Sequence, residues 1–209
     1  MKTLEQEVLK KIAKKSLFVK LVNTERNKSL VEQSISKEFL DLSAVVRVVL
    51  KMDKEGMASM TLSKRDAEIL GMTEEEIYAA ALKNTLRLFP PKLMNLEGYV
   101  EMSIGAKLLF VEDEVTTYIL TNQKEVDGAF YLMSRELVGA IAEMLEDDLY
   151  ILPSSVNEVL LGRASEVRDG VDGLKAMVRD VNETIVAEKE ILSYSVYHYD
   201  KEHGITIAE

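Results

Sequence analysis

Hydrophobic residues follow two different periods along this chain, which predict strands interleaved with helices. Short runs rich in branched and aromatic residues are typical of strands, whereas apolar residues that recur every three or four positions indicate helices. LFVKLVN, TTYILTN and DLYIL are clear strand patterns, and GLKAMVRDVN is a clear helical pattern. We therefore predict strands at residues 17–23, 44–52, 57–62, 107–112, 116–122, 128–133, 148–152 and 156–162, and a closing hairpin within 195–208.

Capping residues predict where two of the helices begin. Ser63 is spaced from Asp66, and Thr73 from Glu76, as in capping boxes, which satisfy the free backbone amides at a helix start. The second of these helices must end before the proline pair at 90–91, because proline has no amide hydrogen and restricts the residue before it. Two further helices are predicted, at 134–145 and 173–182.

The order of these elements favours an α+β fold with a largely antiparallel sheet and flanking helices. Strand pairs come first, helices follow, and one strand-helix-strand unit is predicted near residues 128–152. Apolar positions spaced by four among lysines predict a basic amphipathic helix over residues 1–16. We expect a single α+β domain over residues 17–209.

Composition and charge restrict the classes of function. The 209 residues include no cysteine, which excludes thiol catalysis and cysteine-ligated metals and fits a cytoplasmic location. Residues 1–28 carry a net charge of +5, while the rest of the chain carries −15. We do not expect the acidic body to bind nucleic acid, because that binding requires a positive surface. No apolar run is long enough to span a bilayer, and no cofactor motif is present.

The segment YILPSSVNEVLLGR concentrates the polar residues of greatest chemical interest. Ser154 and Ser155 could act as nucleophiles only if a base and an oxyanion site lay beside them. The nearest histidine in sequence is His198, and no glycine-flanked serine elbow is present. A turn explains the segment more simply, because proline stops a strand while serine and asparagine bond to neighbouring backbone groups. We assign no catalytic residue and expect ligand contacts, if any, at Ser154, Ser155, Asn157 and Glu158.

Several asparagines lie at or near the ends of predicted elements. Asn122 and Asn182 are expected to cap or terminate these elements, although ligand contact at Asn122 stays an alternative. Asn84 is a further candidate for ligand contact and lies inside a helical pattern, where asparagine is unfavourable. If one asparagine joins two elements through a buried hydrogen bond, we expect it to be Asn84. His198 and Asp200 lie two residues apart on a predicted strand, so their side chains share one face and could contact a metal ion. Without a third defined ligand we predict no metal site.

Six motifs occur in order along the chain: DLSAVVRVVL, MTEEEIYAAALKNT, YILTN with GAFYL, ILPSSVNEV, MVRDVN and ILSYSVYHYD. Together they resemble an uncharacterised family of unknown function from anaerobic Gram-positive bacteria. The resemblance spans roughly residues 19–200 and implies that the chain matches the C-terminal part of longer members or is a short version of them. It also implies that histidine is usual in the family at position 157, where this chain has asparagine, which cannot act as a general base. The family supplies no activity.

We therefore expect a non-catalytic cytoplasmic module that contacts a protein partner or a second copy of itself. An exposed sheet edge, or the aromatic strand near Tyr194, Tyr197 and Tyr199, is the expected contact. A cofactor-independent hydrolase or transferase that uses Ser154 or Ser155 with Glu158 and His198 is the alternative. A weaker alternative is nucleic-acid contact through the basic N-terminal helix.

Overall fold

The computed structural model describes residues 14–54, 56–96, 116–153 and 155–209. The chain divides into two compact units, Met1–Pro90 and Pro91–Glu209. Most of the predicted N-terminal helix and the predicted strand at 107–112 lie outside the described residues, and only residues 14–16 of that helix are described, as helical. The single domain expected over 17–209 stays a prediction, with these two units as its parts.

The first unit contains an antiparallel sheet built around one long strand. The strands are β1 (Leu17–Asn23), β2 (Ser36–Phe39), β3 (Leu42–Met52) and β4 (Met57–Thr61). β1 lies along one edge of β3, and β2 and β4 pair with successive parts of its other edge. β3 is buried from Leu42 to Val46 and becomes more exposed beyond, so its second half extends past the core of the unit.

Three helices accompany this sheet: α1 (Lys28–Gln33), α2 (Lys64–Leu70) and α3 (Glu74–Leu88). Both predicted capping boxes are present, at the starts of α2 and α3. α2 ends at Gly71, whose φ of 59° lies in the left-handed region that glycine tolerates best. α3 ends one residue before Phe89, whose ring packs edge-on against Phe18 of β1 with centroids 5.2 Å apart.

The second unit contains six antiparallel strands in the order β10, β9, β7, β8, β6, β5. In this order β10 and β5 lie at the two ends, and the other four strands each pair with a neighbour on both sides. The strands are β5 (Pro91–Asn95), β6 (Thr117–Asn122), β7 (Leu149–Leu152), β8 (Val159–Arg163), β9 (Tyr197–Asp200) and β10 (Gly204–Ile207).

The described helices of the second unit include α4 (Arg135–Leu145) and α5 (Gly170–Thr184). Short 3-10 helices occur at Gly128–Met133, Ala164–Glu166 and Glu188–Glu190. Val178 of α5 packs in a cluster with Leu152, Val196 and Ala208. In the described part of the chain, no helix is long and apolar enough to cross a membrane.

The predicted α+β class and the antiparallel sheets are confirmed. The strand predicted at residues 128–133 is wrong, because GAFYLM forms a 3-10 helix whose first five residues are all buried. The unit near 128–152 is therefore a 3-10 helix, an α-helix and a strand. A strand and a 3-10 helix that are buried on every side both show a continuous apolar run, so the hydrophobic pattern alone does not distinguish them.

Candidate functional site

The polar segment singled out in the sequence forms the β7–β8 loop, residues 153–158, where the chain reverses between two paired strands. Ser154 lies outside the described residues. Ser155 is buried, and its hydroxyl oxygen accepts a hydrogen bond from the backbone N–H of Asn157 at 3.0 Å. Its backbone bridges to Ile191. This serine therefore supports the reversal of the chain.

Asn157 is the residue of the β7–β8 loop with the most connections to other elements. Its side-chain oxygen accepts from the backbone N–H of Asp127 at 3.2 Å. Its carbonyl oxygen accepts from the hydroxyl of Thr121 at 2.7 Å and from the N–H of Gly128 at 3.0 Å. The loop is thus joined to the end of β6 and to the start of the 3-10 helix Gly128–Met133.

Asn122 shapes the turn that follows β6. Its side-chain amide donates to the carbonyl of Val126 at 2.6 Å, and its side-chain oxygen accepts from the N–H of Lys124 at 2.8 Å. Glu125 and Asp127 in this turn both have a φ of 55°, in the left-handed region. Both ends of the Asn122 amide therefore stabilise a tight local conformation, which is the capping role predicted for it.

His198 lies on β9 opposite Tyr150 of β7, and the two rings are 5.2 Å apart. No hydrogen bond joins either imidazole to Ser155 within the described residues. His203 instead lies 3.0 Å from the carboxylate of Asp200, which also accepts from the backbone N–H groups of Glu202 and His203. These bonds close the β9–β10 hairpin, and the backbone N–H of His203 is the main cause that lowers the pKa of Asp200.

The described residues contain no group of three histidine or acidic side chains placed to hold a metal ion. The carboxylate of Asp147 has a structural role at the surface, because it accepts hydrogen bonds from the backbone N–H and the hydroxyl of Ser165. The bond from the Ser165 hydroxyl is the main cause that lowers the pKa of Asp147.

The asparagine expected to make a buried link does not make it. The Asn84 amide donates to the carbonyl of Lys14, which joins α3 to the residues before β1, but Asn84 is partly exposed. The buried link belongs to Asn182, which is 2% exposed and donates to the carbonyl of Ser193 at 2.9 Å. The poor helix propensity of asparagine therefore indicated correctly that Asn84 joins two elements, but the buried hydrogen bond is made by Asn182.

A cavity of about 350 Å³ lies beside the β7–β8 loop, within the second unit. Glu158 provides one of its few polar side chains, and most of the lining is aliphatic. Burial is the main cause that raises the pKa of Glu158, and the negative charges of Glu190 and Glu125 add to it, while a hydrogen bond with Ser155 opposes it. The lining residues are Met94, Leu96, Ile119, Thr121, Glu125, Glu158, Leu160, Val181, Ile185 and Val186.

The cavity could not be predicted from the sequence, because two of its lining residues, Met94 and Leu96, lie in a segment for which no strand or helix is predicted. The fragment PKLMN in fact forms β5. A proline at its start and a lysine beside it weaken the strand pattern, although both are tolerated on an outer strand. The sequence signal for this strand is the alternation of apolar Met94 with exposed Asn95, which is too short to predict a strand.

The fold and the β7–β8 loop together define an α+β protein in which Ser155 and Asn157 of the loop are bonded to backbone groups. Residues 4–201 match the model of a family of unknown function, DUF5688, and the chain belongs to this family. No curated protein matches the chain, and no solved structure does. The expected membership of an uncharacterised family is confirmed, and the description of the family names no activity.

Proposed function

We propose that the protein is a non-catalytic cytoplasmic module of an anaerobic Gram-positive bacterium that acts through protein–protein contacts, beginning with a second copy of itself. The observation that carries this proposal is the apolar surface at the outer end of the β3–β4 hairpin. We name residues 48–52 and 57–60 the hairpin arm. Leu50 is 64% exposed and Met60 is 49% exposed, on strands that extend beyond the buried part of β3.

The paired strands bring the apolar side chains of the arm together. Val48 lies opposite Met60, and Met52 opposite Met57. Arg47 precedes the arm, and its guanidinium donates to the side chains of Ser59 and Thr61, which occupy alternate positions on β4. Ser59 and Thr61 therefore form a polar, internally bonded part of one face, which Met57 shares, whereas Val48 and Met60 lie on the other face and present an adaptable apolar surface there.

The charge pattern of the outer strands favours a second copy as the partner. β4 has the sequence MASMT, without a charge, and pairs with no named strand except β3. β2 and β5 carry lysine, a residue that protects strand edges from pairing, whereas β10, GITI, is an end strand without a charge, as β4 is. Two copies of β4 related by a twofold axis through Ser59 would place Met57 opposite Thr61. The guanidinium of Arg47, which donates to the carbonyl of Ser59 at 2.9 Å, would have to leave that carbonyl to make room for the second strand.

The aromatic strand expected as a contact is a poorer candidate. Tyr197 and Tyr199 are buried, and β9 is an interior strand between β10 and β7. Tyr194 is 42% exposed but precedes the strand. A contact at Tyr197 and Tyr199 therefore has less support than a contact at the hairpin arm, because these rings already pack inside the unit.

Two alternatives stay predictions with less support. The hydrolase alternative is supported by the hydrogen bond between Ser155 and Glu158, but the His198 ring packs on Tyr150 and Ser154 lies outside the described residues. The nucleic-acid alternative depends on residues 1–16, of which only 14–16 are described.

Sedimentation velocity from micromolar to millimolar protein tests the proposal. We expect the wild-type mass to rise to that of a dimer, and Met60→Lys to keep the protein monomeric, because a buried unpaired ammonium opposes strand pairing. Met144→Lys is the matched control, since Met144 is 60% exposed on α4, outside the hairpin arm. A wild type that stays monomeric throughout, or equal effects of the two lysines, would contradict the proposal.

A further inference from the structure

The floor of the cavity is formed by three neighbouring strands whose register places like side chains in rows. Met94 of β5 pairs with Ile119 of β6, and Ile119 pairs with Leu160 of β8. All three line the cavity, so one row of the floor is entirely apolar. Val181, Ile185 and Val186, at the end of α5 and just beyond it, add further apolar lining.

The next row of the same floor is polar. Side chains two residues apart share a face of a strand, so Thr121 follows Ile119, and Glu158 precedes Leu160, on the cavity side. Both residues line the cavity, as does Glu125 in the turn after β6. The cavity therefore has an apolar part and a polar end, as does a small amphiphilic molecule.

The polar end offers hydrogen-bond acceptors. The hydroxyl of Thr121 donates to the carbonyl of Asn157, so toward a ligand the Thr121 oxygen acts as an acceptor through its lone pairs. Lys92 pairs with Glu125 at 3.0 Å, but no cation pairs with Glu158 among the described residues. The charged groups near Glu158 are the carboxylates of Glu125 and Glu190, which repel its charge.

These features restrict the chemistry of an occupant. An anion would be repelled by the carboxylate of Glu158, and a purely apolar molecule would cover Glu158 without replacing its water. An ammonium group donates hydrogen bonds and carries the opposite charge, so it satisfies Glu158 and Thr121 together. We propose that the cavity binds a small primary amine with an apolar body, with its ammonium on Glu158 and Thr121 and its body on Met94, Ile119 and Leu160.

This inference goes beyond the proposed self-association, because it uses a different set of residues in the second unit. NMR titration of methyl-labelled protein with hexylammonium tests it, with hexanol and hexanoate as probes of the same chain length. We expect saturable shifts of Ile119, Leu160 and Ile185 with hexylammonium. Hexanol should bind at least about tenfold more weakly, since it lacks the charge-assisted bond to Glu158, and hexanoate should not saturate.

Variants identify the carboxylate that binds the ammonium. Glu158→Gln keeps the size of the side chain and removes its charge, so hexylammonium binding should fall by at least about tenfold. Glu183→Gln is the matched control, because Glu183 is an exposed carboxylate on α5 that does not line the cavity. Unchanged binding by Glu158→Gln would overturn the proposal, and so would equal affinity for hexylammonium and hexanol, or the absence of saturable hexylammonium binding.

A second readout on the wild type decides the matter if Glu158→Gln does not fold. A bound ammonium favours the ionised carboxylate, so the pKa of Glu158, followed by carboxyl carbon shifts, should fall when hexylammonium is added. Hexanol should leave the pKa of Glu158 unchanged or raise it, since it displaces water without adding charge. A Glu158 pKa that responds identically to the two probes would overturn the proposal.

Discussion

Replacing Gly128 with alanine is expected to lower the free energy of unfolding by about 3 kcal/mol, because the added methyl group has no space. A Cβ at this position would lie 2.3 Å from the carbonyl oxygen of Asn157 and 2.9 Å from the Cα of Thr121. Both are backbone atoms. The β7–β8 loop or β6 would have to move, and the hydrogen bond from the Gly128 N–H to Asn157 would be distorted.

Urea denaturation of Gly128→Ala beside Gly139→Ala checks this expectation. A Cβ at Gly139 would lie 2.7 Å from the hydroxyl oxygen of Tyr199, which is the tip of a side chain. Alanine also favours the interior of α4 by about 1 kcal/mol over glycine, which offsets the contact with Tyr199. Gly139→Ala should therefore stay within about 1 kcal/mol of wild type. Equal losses in the two variants would show that the β7–β8 loop yields as easily as a tyrosine tip.

Replacing Thr85 with valine is expected to cost about 2 kcal/mol of unfolding free energy, because it leaves a buried amide without a partner. The Thr85 hydroxyl donates to the carbonyl of Ala81 at 2.8 Å and accepts from the backbone N–H of Val19 at 2.9 Å. Thr85 is 2% exposed, and Val19 is fully buried. Valine has nearly the same shape, so the loss reports the hydrogen bonds that join α3 to β1.

Thr184→Val provides the matched control for Thr85→Val. Thr184 makes the same bond to the carbonyl four residues earlier, at 2.7 Å to Asp180, but it is exposed at the end of α5. Its loss should stay within about 0.5 kcal/mol, because water replaces the hydroxyl. Urea denaturation of both variants gives the comparison. If Thr85→Val were no more destabilising than Thr184→Val, the hydroxyl would not be what anchors β1 to α3.

Local signals in the sequence predicted the parts of the fold that local interactions determine. The capping boxes at Ser63 and Thr73 are present because each involves residues only three positions apart. The β3–β4 and β9–β10 hairpins are also confirmed, since short loops bring strand patterns together. The order of the six strands in the second unit could not be predicted, because it depends on contacts between distant parts of the chain.

Long-range contacts also explain where the site predictions fell short. The turn at Ser155 followed from local residue preferences, but the bonds from Asn157 to Thr121, Asp127 and Gly128 join segments about thirty residues apart. The same contacts hold Gly128 in a 3-10 helix where the apolar pattern predicted a strand. The cavity needed β5, β6 and β8 to align, so its apolar row could not be read from any one segment.

We conclude that Ser155 and Asn157 of the β7–β8 loop hold the backbone in place. The unfolding free energy of Asn157→Ala tests it most directly, because this variant removes the acceptor of the buried Asp127 N–H. We predict a loss of about 1.5 kcal/mol. Residues kept for chemistry commonly reduce stability, so an unfolding free energy equal to or above that of the wild type would contradict the account.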